Sequence, residues 1–339
     1  MNEESYHRTL NTVRRLIYRD LKDSDIILIN KESLVSNYPT IFLASHVSRS
    51  DIVPYCVALN RRYEEIGEKA VVRPVIADEL FLLETITEPR KKLFWKGVNR
   101  LIINVVESSG GIIMKRGYSL DKTPRKLAPS LYLEALAQGD KLLIYPLAVF
   151  SKDGSVDYDG KQLQFTSKHI AGMARHIEGL HVQYVHLTYE PVGRKCVVTL
   201  GSSRSGDELQ TREFNFREEI ASCTTITPLQ LTVSYLAALY EYGSTPYVKI
   251  SPQELESDLE LLLADVEKQG FRVFDESSDT REVVSFLKRK RLLAVEGENF
   301  FLHNSGVHNN FYNFQRNNIK HLDLEGTIRQ FAERGRTIR

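Results

Sequence analysis

His46 and Asp51 stand with four residues between them in Ala44-Ser45-His46-Val47-Ser48-Arg49-Ser50-Asp51, directly after the apolar run Ile41-Phe42-Leu43-Ala44. The run reads as a buried strand that delivers a histidine at its carboxyl end. Catalytic groups favour such places, where a loop sits on a rigid sheet. An imidazole takes a proton from a hydroxyl near neutral pH. A carboxylate on its other ring nitrogen fixes the tautomer and stabilises the imidazolium. The pair therefore has the parts for general-base activation of a hydroxyl. The spacing also fits a surface histidine beside a helix-capping aspartate, so it does not decide by itself.

Two later segments add weight. Gly110-Gly111-Ile112-Ile113-Met114-Lys115-Arg116 follows, and then Leu142-Leu143-Ile144-Tyr145-Pro146. In this order they resemble the three sequence blocks of the glycerolipid acyltransferases: His-x4-Asp, Gly-x-Ile-x-x-x-Arg, and an apolar strand ending in Pro-Glu-Gly-x-Arg-Ser. Phe94-Trp95-Lys96-Gly97 onward, Thr227-Pro228-Leu229-Gln230-Leu231 and Phe314-Gln315-Arg316-Asn317-Asn318-Ile319-Lys320-His321-Leu322 are similar to stretches of the bacterial and mitochondrial glycerol-3-phosphate O-acyltransferases. The resemblance spans residues 39–322.

The resemblance implies direct transfer of a fatty acyl group from an acyl thioester, on coenzyme A or an acyl carrier protein, to a hydroxyl. His46 would be the general base and Asp51 its partner. Glycerol 3-phosphate is the implied acceptor, and no further cofactor is expected. Ser48 matches the family position inside the first block. Arg49, Lys115 and Arg116 are candidates for the phosphates of acceptor or donor. Backbone N–H groups at Gly110 and Gly111, or at the start of the helix after His46, are candidates for the oxyanion. Pro146, Ser151 and Lys152 complete the expected substrate-binding set. The third block departs from the family: Leu147, Ala148 and Phe150 stand where Glu, Gly and Arg are expected. A guanidinium grips phosphate with a bidentate fork, and Phe cannot. That departure keeps open another alcohol or amine acceptor. It also keeps open a non-catalytic relative that binds lipid or acyl carrier protein.

Composition sets the remaining limits. With 42% hydrophobic and 26% charged residues the chain is that of a folded globular protein. A formal charge of +1 gives no global attraction to nucleic acid or membrane, so any such pull must be local. The four-cation run Lys288–Arg291 reads as a solvated helix end, and no nucleic-acid partner is expected. Cys56, Cys196 and Cys223 are too scattered for a disulfide framework, and the histidines show no ligand spacing. Reduced thiols, a cytoplasmic setting and no metal are the expectations. The first residues lack the apolar core of a signal peptide, and no transmembrane run is visible. A segment at 6–22 places Tyr6, Leu10, Val13, Ile17 and Leu21 within an arc of about 80° at helical spacing, flanked by Arg8, Arg14, Arg15, Arg19 and Lys22. It suits peripheral contact with an anionic membrane, and equally a helix packed on its own domain.

The expected fold is α/β, a mixed sheet covered by helices as in glycerol-3-phosphate acyltransferases. Strands are expected at 40–45, 71–76, 111–115, 141–146, 182–189 and 195–200. Helices are expected at 90–106, where Leu93, Phe94, Trp95 and Val98 suit either an acyl chain or a core, and at 130–138, ending at Gly139. Residues 151–161 read as a loop. Beyond 203 the texture turns helical. Thr227-Pro228 starts a helix to Tyr242, Ser251-Pro252 another to Gln269, and 280–291 form a third. A hairpin at 292–302 then completes a winged-helix-like pattern. The expected divisions are 1–38 as an amphipathic segment, 39–202 as the acyltransferase domain and 203–339 as the carboxyl-terminal region.

Overall fold

The apolar runs of the first half assemble into one seven-stranded sheet. The computed structural model describes residues 22–45, 51–77, 88–91, 93, 96, 97, 100, 103, 111–114, 127–145, 170–211, 216–241, 247–274, 280–296, 299–303, 310–322 and 324–337. The sheet strands are β1 (Ile26–Ile29), β2 (Thr40–Ala44), β3 (Val72–Ala77), β4 (Ile112–Met114), β5 (Lys141–Ile144), β6 (His181–Glu190) and β7 (Lys195–Ser205), in the order β1-β7-β6-β2-β5-β3-β4. The six expected strands are present, each within a few residues of its expected bounds. The protein is α/β.

β2 is fourth of seven and all five of its residues are buried. A strand covered on both faces reads as a continuous apolar run, which is why Ile41 to Ala44 stood out. β2 pairs in parallel with β5 and β6, and β3 pairs in parallel with β5 and β4. A four-residue turn, 191–194, joins β6 to β7. So short a connection makes a hairpin, and the sheet is mixed. Pro74 lies inside β3 without an N–H to donate. It is tolerated because β4 begins its pairing one residue later, at Val75. Helix α1 (Ile52–Glu65) and helix α2 (Leu127–Ala137) pack on the sheet. α2 ends at Gly139, whose φ of 85° suits glycine, and the chain turns straight into β5.

Residues 22–38 do not form a segment of their own. β1 belongs to the sheet, and Asn30 Nδ2 donates to the Leu200 carbonyl at 3.0 Å. Buried Gln183 accepts from the Val35 N–H at 3.1 Å and donates to the carbonyls of Ser33 (2.7 Å) and Gly201 (3.1 Å). At the amino end of the sheet, Lys141 is buried. Its ammonium is satisfied by the Tyr38 carbonyl and Glu68, both at 2.7 Å. The chain divides into two compact units otherwise than at 38 and 202. One comprises 1–149, 158–187 and 198–220; the other comprises 150–157, 188–197 and 221–339.

The second unit is built on α5 (Pro228–Glu241), which is buried at every position from Leu229 to Leu239. Before it in the chain come α3 (Gly206–Thr211) and α4 (Phe216–Cys223), which belong to the first unit as far as residue 220. β9 (Tyr247–Ile250), α6 (Pro252–Lys268), α7 (Thr280–Arg289), β11 (Ala294–Glu296) and β12 (Asn299–His303) follow. β11, β12 and β9 form a three-stranded antiparallel sheet in that order. A two-residue parallel bridge joins β8 (Thr225–Ile226) to β10 (Arg272–Val273). α8 (Asn310–Ile319) and α9 (Glu325–Thr337) close the chain. Ser251 and Glu254 form a reciprocal capping box on α6. Thr227 and Gln230 do the same for α5: the Gln230 side chain accepts from the Thr227 N–H at 3.0 Å, and Thr227 Oγ1 from the Gln230 N–H at 3.2 Å. Lys288 to Arg291 are exposed at the end of α7, where the helix dipole favours cations.

Glu190, the last residue of β6, is a buried acid whose pKa is pushed up. Burial raises its proton affinity, and the Val192 N–H (2.8 Å), the Thr227 hydroxyl and the Gly193 N–H only partly oppose that. The folded protein thus holds this proton more tightly than the unfolded chain. Stability falls as pH rises from about 4.3, the ordinary glutamate value, through the raised folded value. Glu190→Gln mimics the protonated acid. It is expected to raise Tm at pH 7 and to leave it unchanged near pH 4, as thermal denaturation at the two pH values would show. A lower Tm at pH 7 would contradict this account.

Candidate functional site

Strand order and register bring the carboxyl ends of β2, β5, β3 and β4 to one edge of the sheet. Ile112 is level with Val75, Val75 with Ile144 and Ile144 with Leu43. Met114, the last residue of β4, is therefore level with Ser45, and Tyr145 lies one residue below them. On the other flank Ala44 is level with Val185, so Ser45 lies beside His186. His46 follows Ser45 in the chain, Lys115 and Arg116 follow Met114, and Pro146 follows Tyr145. After β2 the chain moves outward to β3, and after β5 it crosses back to β6 on the far side of β2. Such a reversal in an open parallel sheet is where ligands bind, at the carboxyl ends of the strands.

Asp51 is fully buried, at 0% exposure, immediately before α1. Its backbone is already helical (φ −57°, ψ −25°), and its carboxylate makes no capping bond to the helix. The capping role that spacing alone allowed is thus not the one it takes. Ionised carboxylates are almost never fully buried unless paired. The side chain is committed inside the protein at the edge where β2 ends.

Tyr55, one turn into α1, ties this corner together. Its N–H donates to the Asp51 carbonyl at 3.3 Å, and its hydroxyl to the Ser45 carbonyl at 3.1 Å. The Ser45 and Tyr55 hydroxyls share a further bond of 2.9 Å. The Tyr55 ring lies 6.2 Å from that of Tyr145 at the end of β5. Tyr55, Tyr145 and His186 are all buried at this edge and were not singled out from the sequence. Tyr55 had a readable signal, four residues past Asp51 on the same helix face. His186 had none, because nothing local says which strand neighbours β2.

Of the other expected site residues, Gly111 is the one described, and the fold sets it apart. It precedes β4, three strands from β2, or about 14 Å at ~4.8 Å per strand. It is also level with Phe42, about 10 Å below Ser45 at ~3.3 Å per residue. Its N–H is out of reach of the end of β2, because β5 and β3 are inserted between the two blocks. The other expected source of oxyanion donors, the start of α1, is tied to that end through Tyr55. His46, Ser48, Arg49, Gly110, Lys115, Arg116, Pro146, Ser151 and Lys152 lie outside the described residues, as do 6–21 and the loop at 151–161. So do Phe94 and Trp95; of the expected helix 90–106, the described positions from Pro89 are helical and Leu93 is 73% exposed.

Among the described residues, no group of three or more His, Cys, Asp and Glu side chains is placed to hold a metal. The three cysteines are buried and form no disulfide. No helix of the described residues is long and apolar enough to cross a membrane. No protein-family model matches the chain, and no curated protein matches it in sequence.

Proposed function

We propose that the chain is an O-acyltransferase of the glycerolipid type, with the fold of a glycerol-3-phosphate acyltransferase. It moves a fatty acyl group from an acyl thioester, on coenzyme A or an acyl carrier protein, to a hydroxyl. The observation that carries the reading is the shared carboxyl edge. The first and third sequence blocks leave from adjacent parallel strands, with Asp51 buried beside the strand that leads to His46. His46 takes the proton of the acceptor hydroxyl, and Asp51 holds the tautomer and stabilises the imidazolium. The alkoxide oxygen attacks the thioester carbon, and the thiol leaves. First-turn N–H groups of α1 serve as the oxyanion donors. Lys115 and Arg116 follow a strand end about 14 Å from β2. That separation suits a long substrate, with its phosphates held away from the reacting carbon. The acceptor is glycerol 3-phosphate, held by Arg49, Lys115, Arg116 and Lys152 in place of the missing third-block arginine. The enzyme works at the inner face of a membrane as a peripheral protein, drawn to anionic lipid.

Phe150 favours one other reading, an acceptor without phosphate or a binding protein without activity. Thiol release from an acyl thioester, with and without glycerol 3-phosphate, separates these. Release that depends on glycerol 3-phosphate is expected, and Arg116→Ala should raise its KM about ten- to a hundredfold, as loss of a charged hydrogen-bond partner does. Release with another alcohol or amine alone replaces the acceptor. No release with any of them leaves the binding protein.

A further inference from the structure

Helices α1, α2 and α6 end alike. One N–H returns to the carbonyl three positions back and the next N–H to the carbonyl five positions back. The first residue of that pair must turn left-handed, and it is Gly67, Gly139 and Gly270 in turn. α7 closes with the same bonds: the Arg291 N–H donates to the Lys288 carbonyl and the Leu292 N–H to the Leu287 carbonyl, both at 2.9 Å. Its left-handed residue, however, is Arg291, at φ 56°. There a Cβ crowds the following carbonyl oxygen, so glycine would serve the fold better. No bond offsets the strain: Arg291 is exposed, and its guanidinium makes no hydrogen bond or ion pair among the described residues. The helix dipole is already served by Lys288 and Arg289 within the last turn, and it does not call for a left-handed arginine.

Arg291 completes a run of charge. From Val283 to Leu293 there are four cations and no acid, and all four cations are exposed. The Arg289 guanidinium also makes no bond among the described residues, and the Lys290 ammonium lies 5.8 Å from the centroid of the Phe286 ring. At about 100° per residue, consecutive side chains fan around the helix axis. A helix that reads a groove presents one face instead, with residues three or four apart. A fan at a helix end suits a flat and continuous array of negative charge. In the same unit Glu254, Glu260 and Glu267 are exposed along α6, which repels anions from that helix and leaves the end of α7 to receive them. We propose that the cationic end of α7 is a docking surface for an anionic lipid bilayer, and that Arg291 stands where glycine would fit because its charge is used there. The inference rests on reading the protein as an enzyme that works at a membrane, and it names the surface that makes the contact.

Arg291→Gly separates fold from function by sign. It should raise Tm, because glycine relieves the strain. It should also lower partitioning onto vesicles of equimolar phosphatidylcholine and phosphatidylglycerol about fivefold, the share of one cation near an anionic surface. Arg291→Lys should keep both at wild-type values. Arg289→Gln, Lys290→Gln and Arg291→Gly together should lower that partitioning roughly a hundredfold and leave binding to phosphatidylcholine vesicles unchanged. Co-sedimentation of the full chain reads the partitioning, and thermal denaturation reads Tm. Wild-type partitioning in the triple variant, or equal binding of the wild-type protein to both kinds of vesicle, would overturn the inference. Retention of duplex DNA that is lost in the triple variant, with vesicle binding kept, would put nucleic acid in place of the bilayer. Thiol release from a soluble acyl thioester without vesicles tests the proposed function separately, and the triple variant should match the wild-type protein there. No release from the wild-type protein sinks the enzyme; intact release without binding to anionic vesicles sinks the docking surface.

Discussion

His46→Ala is expected to abolish acyl transfer while the protein remains folded. A general base contributes roughly 10²–10⁴ in rate, because without it the acceptor hydroxyl attacks as a neutral and poor nucleophile. The side chain follows Ser45 at the carboxyl end of a central strand. Its removal leaves the ladder bonds of Ser45 and the helix bonds of Tyr55 intact, since both are made by other residues. Turnover by thiol release, with circular dichroism as the folding control, tests it. Near wild-type turnover in His46→Ala would remove the histidine from the mechanism and the proposed function with it.

Asp51→Asn should be nearly as severe, on the order of 10³–10⁴ in kcat. The change keeps the volume of a side chain that is fully buried, so packing is preserved and the charge alone is lost. An amide can donate as well as accept, and it can hold the imidazole in the wrong tautomer. The pH profile supplies a second readout. A general base must be neutral, so the rate falls on the acid side as His46 takes a proton. A carboxylate partner favours the imidazolium and raises that inflection, so Asp51→Asn should move the acid limb to lower pH. A reduced rate with an unmoved acid limb would mean that Asp51 serves the fold and not the histidine.

Sequence and structure divide the site between them in a physically understandable way. Ile41 to Ala44 could be read as a buried strand because β2 is covered on both faces, which demands apolar residues at every position. The start of α6 could be read because a capping box is local: Ser251 and Glu254 satisfy each other's N–H groups within one turn. Gly139 marked the end of α2 for a similar local reason, a positive φ that glycine adopts without strain.

β1 was not legible. Ile26-Ile27-Leu28-Ile29 has no alternation, and the partner that makes it a strand is β7, some 170 positions away as the Asn30 to Leu200 bond shows. The tail of β7, Gly201-Ser202-Ser203-Arg204-Ser205, has the composition of a turn and pairs as a strand all the same. The division of the chain was hidden likewise, since the hairpin tip at 188–197 joins the later unit across a long span of sequence.

For the candidate site, residue types and spacing alone determined the chemistry on offer: a histidine and an aspartate after a buried strand, cations after a second strand, a proline after a third. Only the tertiary structure decided their placing. It brought the ends of β2 and β5 side by side and set Gly111 three strands away and below the edge. It also bonded the Tyr55 hydroxyl of α1 to Ser45 at the end of β2. The reason is the same in each case. Strand order and peptide orientation are settled by hydrogen bonds between residues distant in the chain, and such bonds leave no periodic trace in sequence.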